Sequence, residues 1–203
     1  MIEIIRGIEQ GSEEWHSLRI GSVGASSLSK IITSTGKRST QRQTYLYTLA
    51  GEILTGKKAE SYSNGHMANG IEREPQTRME FQLETMKEVE EVALIFPAGR
   101  PGWHCSPDGC IVGEEAGLEL KSVIPSTQVK YLDKGKLPTE YILQLQMSLF
   151  VTGWETWWFC SHSPGLKPLI LEVNRDEALI EIILEALQSF VFDMSSLVKK
   201  LSG

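Results

Sequence analysis

The stretch SPDGCIVGEEAGLELKS, residues 106–122, sets an Asp-Gly turn ten residues ahead of a Glu-Leu-Lys triplet. Side chains alternate along a strand, so Glu119 and Lys121 share one face while Leu120 points to the other. Asp108, near the start of the preceding strand, can meet Glu119 at one end of the sheet. Two carboxylates and one ammonium on a common face suit Mg²⁺, a hard cation that takes oxygen ligands and retains several waters. The backbone carbonyl of Leu120 is a further oxygen ligand. Lys121 is placed to orient an attacking water and stabilise the hydroxide formed from it. The same residues also fit an exposed hairpin, because Asp-Gly is a common turn and charges alternate along solvated edges. The triplet alone leaves both readings open.

The elements that would hold these residues follow from period and punctuation. The first 85 residues read as helical. SEEWHSLRIG opens on Ser12 as an N-cap and stops near Gly21, and GASSLSKIIT is a second short helix. TQRQTYLYTLAGEILTG carries Tyr45, Leu49 and Ile53 at helical spacing. GHMANGIEREPQTRMEFQLE continues it, with Pro75 at a first-turn position or a kink. The period then shortens: VEEVALIFPA, GWHCS, DGCIVG and GLELKSV are short strands set off by Gly and Pro. PTEYILQLQMSLFVTG is a helix, TWWFCSHS and KPLILEV are strands, and the last segment is an amphipathic helix. Asn174 is its expected N-cap, with Glu177 three residues on. Its Leu179, Ile183, Leu187, Phe190 and Met194 form a core-packing stripe. The expectation is one α/β domain over residues 1–203, a central mixed sheet flanked by helices with a helical N-terminal part.

Three further stretches bear on the chemistry. GIEREPQTRMEF supplies Glu74, a third carboxylate from a helix. YILQLQMSLFVTG supplies Gln144 and Gln146, which lie about 200° apart on a helix, so they cannot serve one site together. EEWHSLRIGSVGASS sets Trp15, Arg19, Gly21 and Ser26 near the head of the chain. With EQGSEEWHSLRIG, CSPDG and GLELK in register, the chain resembles the phage lambda exonuclease family, the YqaJ-type viral recombinases, from about Glu9 to Val151. That family belongs to the restriction-endonuclease-like nucleases.

The resemblance implies a restriction-endonuclease-like core and a Mg²⁺-dependent exonuclease. Such an enzyme digests one strand of linear duplex 5′ to 3′ and leaves a 3′ overhang for recombination. It makes Asp108 and Glu119 the metal ligands, with the Leu120 carbonyl beside them as the strand geometry offers, for two ions with Mn²⁺ as a substitute. Lys121 lies beside the attacking water, Glu74 is a nearby acid, and Gln144 is the active-site glutamine. Arg19, Ser26 and Ser106 fall where the family holds a terminal 5′-phosphate, and Met67 where an apolar residue wedges into the duplex end. A DNA-threading homotrimer and a single-strand annealing protein as partner are also implied. One departure is evident: the family's arginine shortly after Glu-x-Lys is missing from SVIPSTQVK, where the first basic residue is Lys130.

A net charge of -6 suits a coat for nucleic acid poorly, yet it leaves room for an enzyme with clustered carboxylates and locally focused cations. TGKRSTQRQ gathers Lys37, Arg38 and Arg42 and reads equally as a solvated loop. The N-terminus lacks the regions of a signal peptide, and no apolar run is long enough to span a bilayer. Cys105, Cys110 and Cys160 form no CxxC pair, so a reducing cytoplasm is expected and zinc is not. There is no phosphate-cradling glycine loop and no nucleophile elbow. WETWWFC is read as a core strand rather than a base-stacking platform. A non-catalytic DNA-end binder and a nicking or restriction-type endonuclease on the same fold remain the alternatives.

Overall fold

The computed structural model describes residues 1–59 and 65–203, with side chains outside residues 65–72. The elements run β1 (Ile2–Ile5), α1 (Glu13–Leu18), β2 (Val23–Gly24), a 3₁₀ helix (Ala25–Lys30), α2 (Arg42–Thr55), α3 (Gly65–Thr85), β3 (Val89–Glu90), β4 (Leu94–Pro97), β5 (Trp103–His104), β6 (Gly109–Ile111), β7 (Ala116–Ser122), α4 (Pro125–Lys134), α5 (Thr139–Thr152), β8 (Thr156–His162), β9 (Leu169–Asn174) and α6 (Glu177–Leu201). The N-terminal part is helical as expected, with β1 and β2 added to it. Their partners explain them: β1 pairs antiparallel with β4, and β2 pairs parallel with β5.

The main sheet has five strands in the order β3-β6-β7-β8-β9. Only β7–β8 is parallel, and α4 and α5 form its crossover. A parallel pair needs such a connection, because no tight turn can return the chain to the same end of the sheet. The sequence reading missed α4. Its marks were Pro125 at the first turn and Gly135, which ends the helix in the left-handed region at φ 57°.

Alternation along β7 divides the interior. Leu118 and Leu120 turn towards α3 and pack with Phe81, Ile111 and Cys160. On the opposite side Trp157 and Phe159 of β8 pack with residues of α5 and α6 in the larger core. Gly117 belongs to that side, where a Cβ would stand 2.4 Å from the Trp157 ring. The WETWWFC stretch is thus core, as read: Trp157 is fully buried, with its ring tilted 31° to that of Trp154 at 5.9 Å.

The α6 stripe is buried at Ile183, Leu187, Phe190 and Met194, while the expected cap is displaced by two residues. Asn174 stays in the β9 ladder opposite Thr156, and Asp176 accepts the Leu179 N–H instead. Glu177 pairs with Arg175 rather than closing a capping box. The basic stretch is divided: Lys37 and Arg38 are exposed, as in a solvated loop, whereas Arg42 is the first residue of α2. Arg42 is buried, donates to Asp193 at 2.8 Å and to Ser189 at 3.3 Å, and so ties α2 to α6.

Candidate active site

The Asp-Gly turn and the Glu-x-Lys strand are brought together by the β6–β7 pairing, in which Gly109 faces Leu118. The backbone N–H of Leu120 donates to Asp108 Oδ2 at 2.6 Å, which pins the carboxylate against β7. Glu119 is 3% exposed and lies on the face covered by α5. Its Oε1 accepts from the Lys121 ammonium and from Gln144 Nε2, the latter at 2.6 Å. One oxygen thereby organises one residue of β7 and one of α5. Tyr141, a turn before Gln144, places its ring 5.2 Å from the Lys121 nitrogen.

The glutamines divide as their helical angle required. Gln146 donates to the Asn174 carbonyl and accepts the Asp176 N–H, both at 2.8 Å, so it clamps the β9–α6 junction. Gln144 alone reaches the acidic cluster.

Glu74 stands at the margin of the cluster. It accepts from Arg78 Nη2 at 2.7 Å, and Arg78 also donates to the Asp108 carbonyl at 3.1 Å and to Glu91. Sequence reasoning missed Arg78, although its i,i+4 relation to Glu74 in EREPQTR was the available sign. It also passed over Gln10, whose amide donates to the carbonyls of Pro107 and Val92 and so holds the approach to Asp108.

Electrostatics follow from crowding acids in a poorly solvated place. Burial, and then the charge of Glu119, push the Asp108 carboxyl well above its usual range. Burial also raises Glu74, against the pull of Arg78. Burial alone would lower Lys121, but the Glu119 and Asp108 charges outweigh it and hold the ammonium protonated. Acids crowded into a poorly solvated place, with a single adjacent ammonium, form a site short of positive charge. A hard divalent cation fits that donor set. No three His, Cys, Asp or Glu side chains converge as a ready ligand cluster among the described residues. A cation would therefore rest on Asp108, Glu119 and the Leu120 carbonyl, with water completing its shell.

Of the second group of expected residues, Arg19 lies just beyond the end of α1 and is linked to Ser106 through Trp15, whereas Ser26 stands apart from that link. Ser12 caps that helix by accepting the Trp15 N–H. The Arg19 guanidinium lies 3.7 Å from the Trp15 ring centroid, and the indole N–H donates to the Ala93 carbonyl at 3.1 Å. Ser106 donates to the same carbonyl at 2.7 Å, so Trp15 and Ser106 are joined through one oxygen. Ser26 is exposed, inside the 3₁₀ helix capped by Gly24. It does not head an α-helix, as its sequence position had suggested. Lys130 is on the exposed side of α4. Met67 falls outside the residues whose side chains are described. The three cysteines are free and buried.

Residues 14–155 match the YqaJ-like viral recombinase domain. The chain belongs to this family. An alkaline exonuclease from Laribacter hongkongensis superposes with a TM-score of 0.84 at 30% identity, covering 94% of this chain and 96% of that one. The same exonuclease in complex with dAMP gives 0.84 at 31% identity over the same shares. A phage related exonuclease from Haemophilus somnus 129PT shares the fold at a TM-score of 0.67 and 14% identity, over 92% of this chain and 99% of that one. No curated protein matches the chain. The restriction-endonuclease-like α/β fold expected for this YqaJ chain is the one found, and none of its described helices is long and apolar enough to cross a membrane.

Proposed function

We propose that this YqaJ-family chain is a metal-dependent DNA exonuclease serving recombination, which digests one strand of linear duplex from the 5′ end and leaves a 3′ overhang. The observation that supports it most directly is the convergence of Lys121 and Gln144 on Glu119 Oε1, beside an Asp108 locked to β7. The similarity to an alkaline exonuclease along nearly the whole of both chains supports the same reading.

Asp108, Glu119 and the Leu120 carbonyl would hold Mg²⁺, or Mn²⁺ in its place, as a pair of ions. When bound, the metal supplies positive charge for the scissile phosphate and makes a coordinated water more acidic. Lys121, kept protonated by its acidic neighbours, acts as a donor and cation beside that water. Gln144 orients the water and Glu74 remains an acid at the margin. Arg19, with Ser26 and Ser106, receives the terminal 5′-phosphate, since a guanidinium presents a planar fork of donors to an anion. Met67 is proposed as the wedge at the duplex end. Double-stranded DNA ends are thus the substrate, a homotrimer the working form, a single-strand annealing protein the partner, and the cytoplasm the setting.

The test is digestion of linear and closed circular duplex side by side with Mg²⁺, using end-labelled strands. Loss of the linear duplex from its 5′ ends, with the circle spared and Asp108→Ala inactive, is expected. Cutting of the circle would make it an endonuclease. Binding to ends without digestion would make it a non-catalytic end binder.

A further inference from the structure

Arg19 is held by more than the indole beneath it. Its Nε donates to His104 Nε2 at 2.9 Å, and His104 Nδ1 lies 2.7 Å from Ser22 Oγ. An Nε2 that accepts carries no proton, so the proton sits on Nδ1 and is donated to Ser22. The parallel register of β2 with β5 sets Gly24 opposite His104. This packing is close: a Cβ on Gly24 would stand 3.1 Å from Arg19 Nη2 and 3.2 Å from His104 Nε2. The imidazole is 1% exposed. No salt bridge among the described residues engages Arg19, whose named partners are a neutral imidazole and an indole face.

We propose that His104 is the positioning residue for 5′-phosphate selectivity: its neutral Nε2 takes the Arg19 Nε–H and fixes the guanidinium, leaving the N–H groups on both terminal nitrogens for the phosphate. The inference rests on the reading that Arg19 receives that phosphate. Fixing the fork beforehand removes ordering cost that would otherwise be met on binding. An imidazolium could not do this, because its Nε2–H would oppose the Arg19 Nε–H. Burial, and then the Arg19 charge, push His104 down to about 3, so the acceptor form persists at any working pH. The residue also links the two halves of the site. His104, Ser106 and Asp108 follow one another on the segment that runs from Arg19 to the acidic cluster.

The test compares blunt duplexes carrying 5′-phosphate or 5′-hydroxyl, in equilibrium binding without divalent cation and in initial digestion rates with Mg²⁺. The full-length wild type is set beside Arg19→Ala, His104→Leu, His104→Gln and Gly24→Ala. A hydrogen bond involving a charged group corresponds to roughly a tenfold effect. His104→Leu and Gly24→Ala should therefore each shrink the phosphate preference about tenfold, through KM for the phosphorylated end. His104→Gln, whose amide oxygen can accept from Nε, should restore most of it. If the wild type shows no preference, or Arg19→Ala retains it, the phosphate reading itself falls. If Arg19→Ala abolishes the preference while folded His104→Leu keeps it, only the role of His104 is overturned. Should His104→Leu fail to fold, full preference in Gly24→Ala overturns the inference.

Discussion

Lys121 and Glu119 form a pair that is difficult to alter without consequence, because Glu119 is almost wholly buried. Removing one member of such a pair leaves an uncompensated charge and costs about 3–5 kcal/mol. Lys121→Ala should thus lower stability as well as turnover, whereas in the double variant Lys121→Met/Glu119→Gln most of the stability returns and activity stays lost. Paired urea melts and single-turnover digestion separate the two effects, and near-normal turnover in either variant would remove Lys121 from the chemistry. His104 gives a different signature. Its folded value of about 3 lies below its ordinary 6.5, so the unfolded chain binds a proton that the folded chain refuses. Above 6.5 His104 makes no pH-dependent difference, and as pH falls from there towards 3 stability is progressively lost. Between pH 6.5 and 5 that amounts to about 2 kcal/mol, at roughly 1.4 kcal/mol per unit. Urea unfolding at both pH values should show this loss in the wild type and a shallower slope in His104→Gln. Equal slopes would mean that His104 titrates in the fold.

At the scale of elements, α5 carries two glutamines with opposite duties. Gln146→Ala strands the Asp176 N–H and the Asn174 carbonyl, and should cost about 1–3 kcal/mol of stability. Gln144→Ala should cost a comparable amount, through the hydrogen bond that buried Glu119 loses, but should also reduce turnover by on the order of ten- to a hundredfold, as loss of a residue supporting the proposed metal ligand would. Thermal melts and rates on the same preparations decide it, and exchanged phenotypes would reverse the assignment. Strand β7 is just as partitioned. Gly117→Ala would push a methyl into the Trp157 ring and should cost roughly 1–3 kcal/mol by overpacking, without touching the acidic cluster two residues away.

For the whole molecule, a net charge of -6 must be reconciled with a polyanionic substrate. Closed assembly does so if each subunit contributes its cations to a common channel, because fields focus in such a cleft. Sedimentation equilibrium should give three times the 22.7 kDa chain mass. Processive digestion by a stable monomer would refute the ring.

Local pattern carried a good deal of this protein. Alternation in GLELK put Glu119 and Lys121 on one face, periodicity parted Gln144 from Gln146, and the α6 stripe announced its own burial. These follow from backbone geometry within a few residues, which any chain must obey. The strands β1 and β2 were not legible in that way, since each exists through a partner 80 to 95 residues on, at β4 and β5. The same holds for Arg78 beside Asp108, Arg42 against Asp193, and His104 beneath Arg19. A charged or polar side chain looks alike in sequence whether it meets water or a buried partner. Which of these it meets depends on elements distant in the chain, so tertiary packing alone makes an apparently ordinary histidine the support of an arginine.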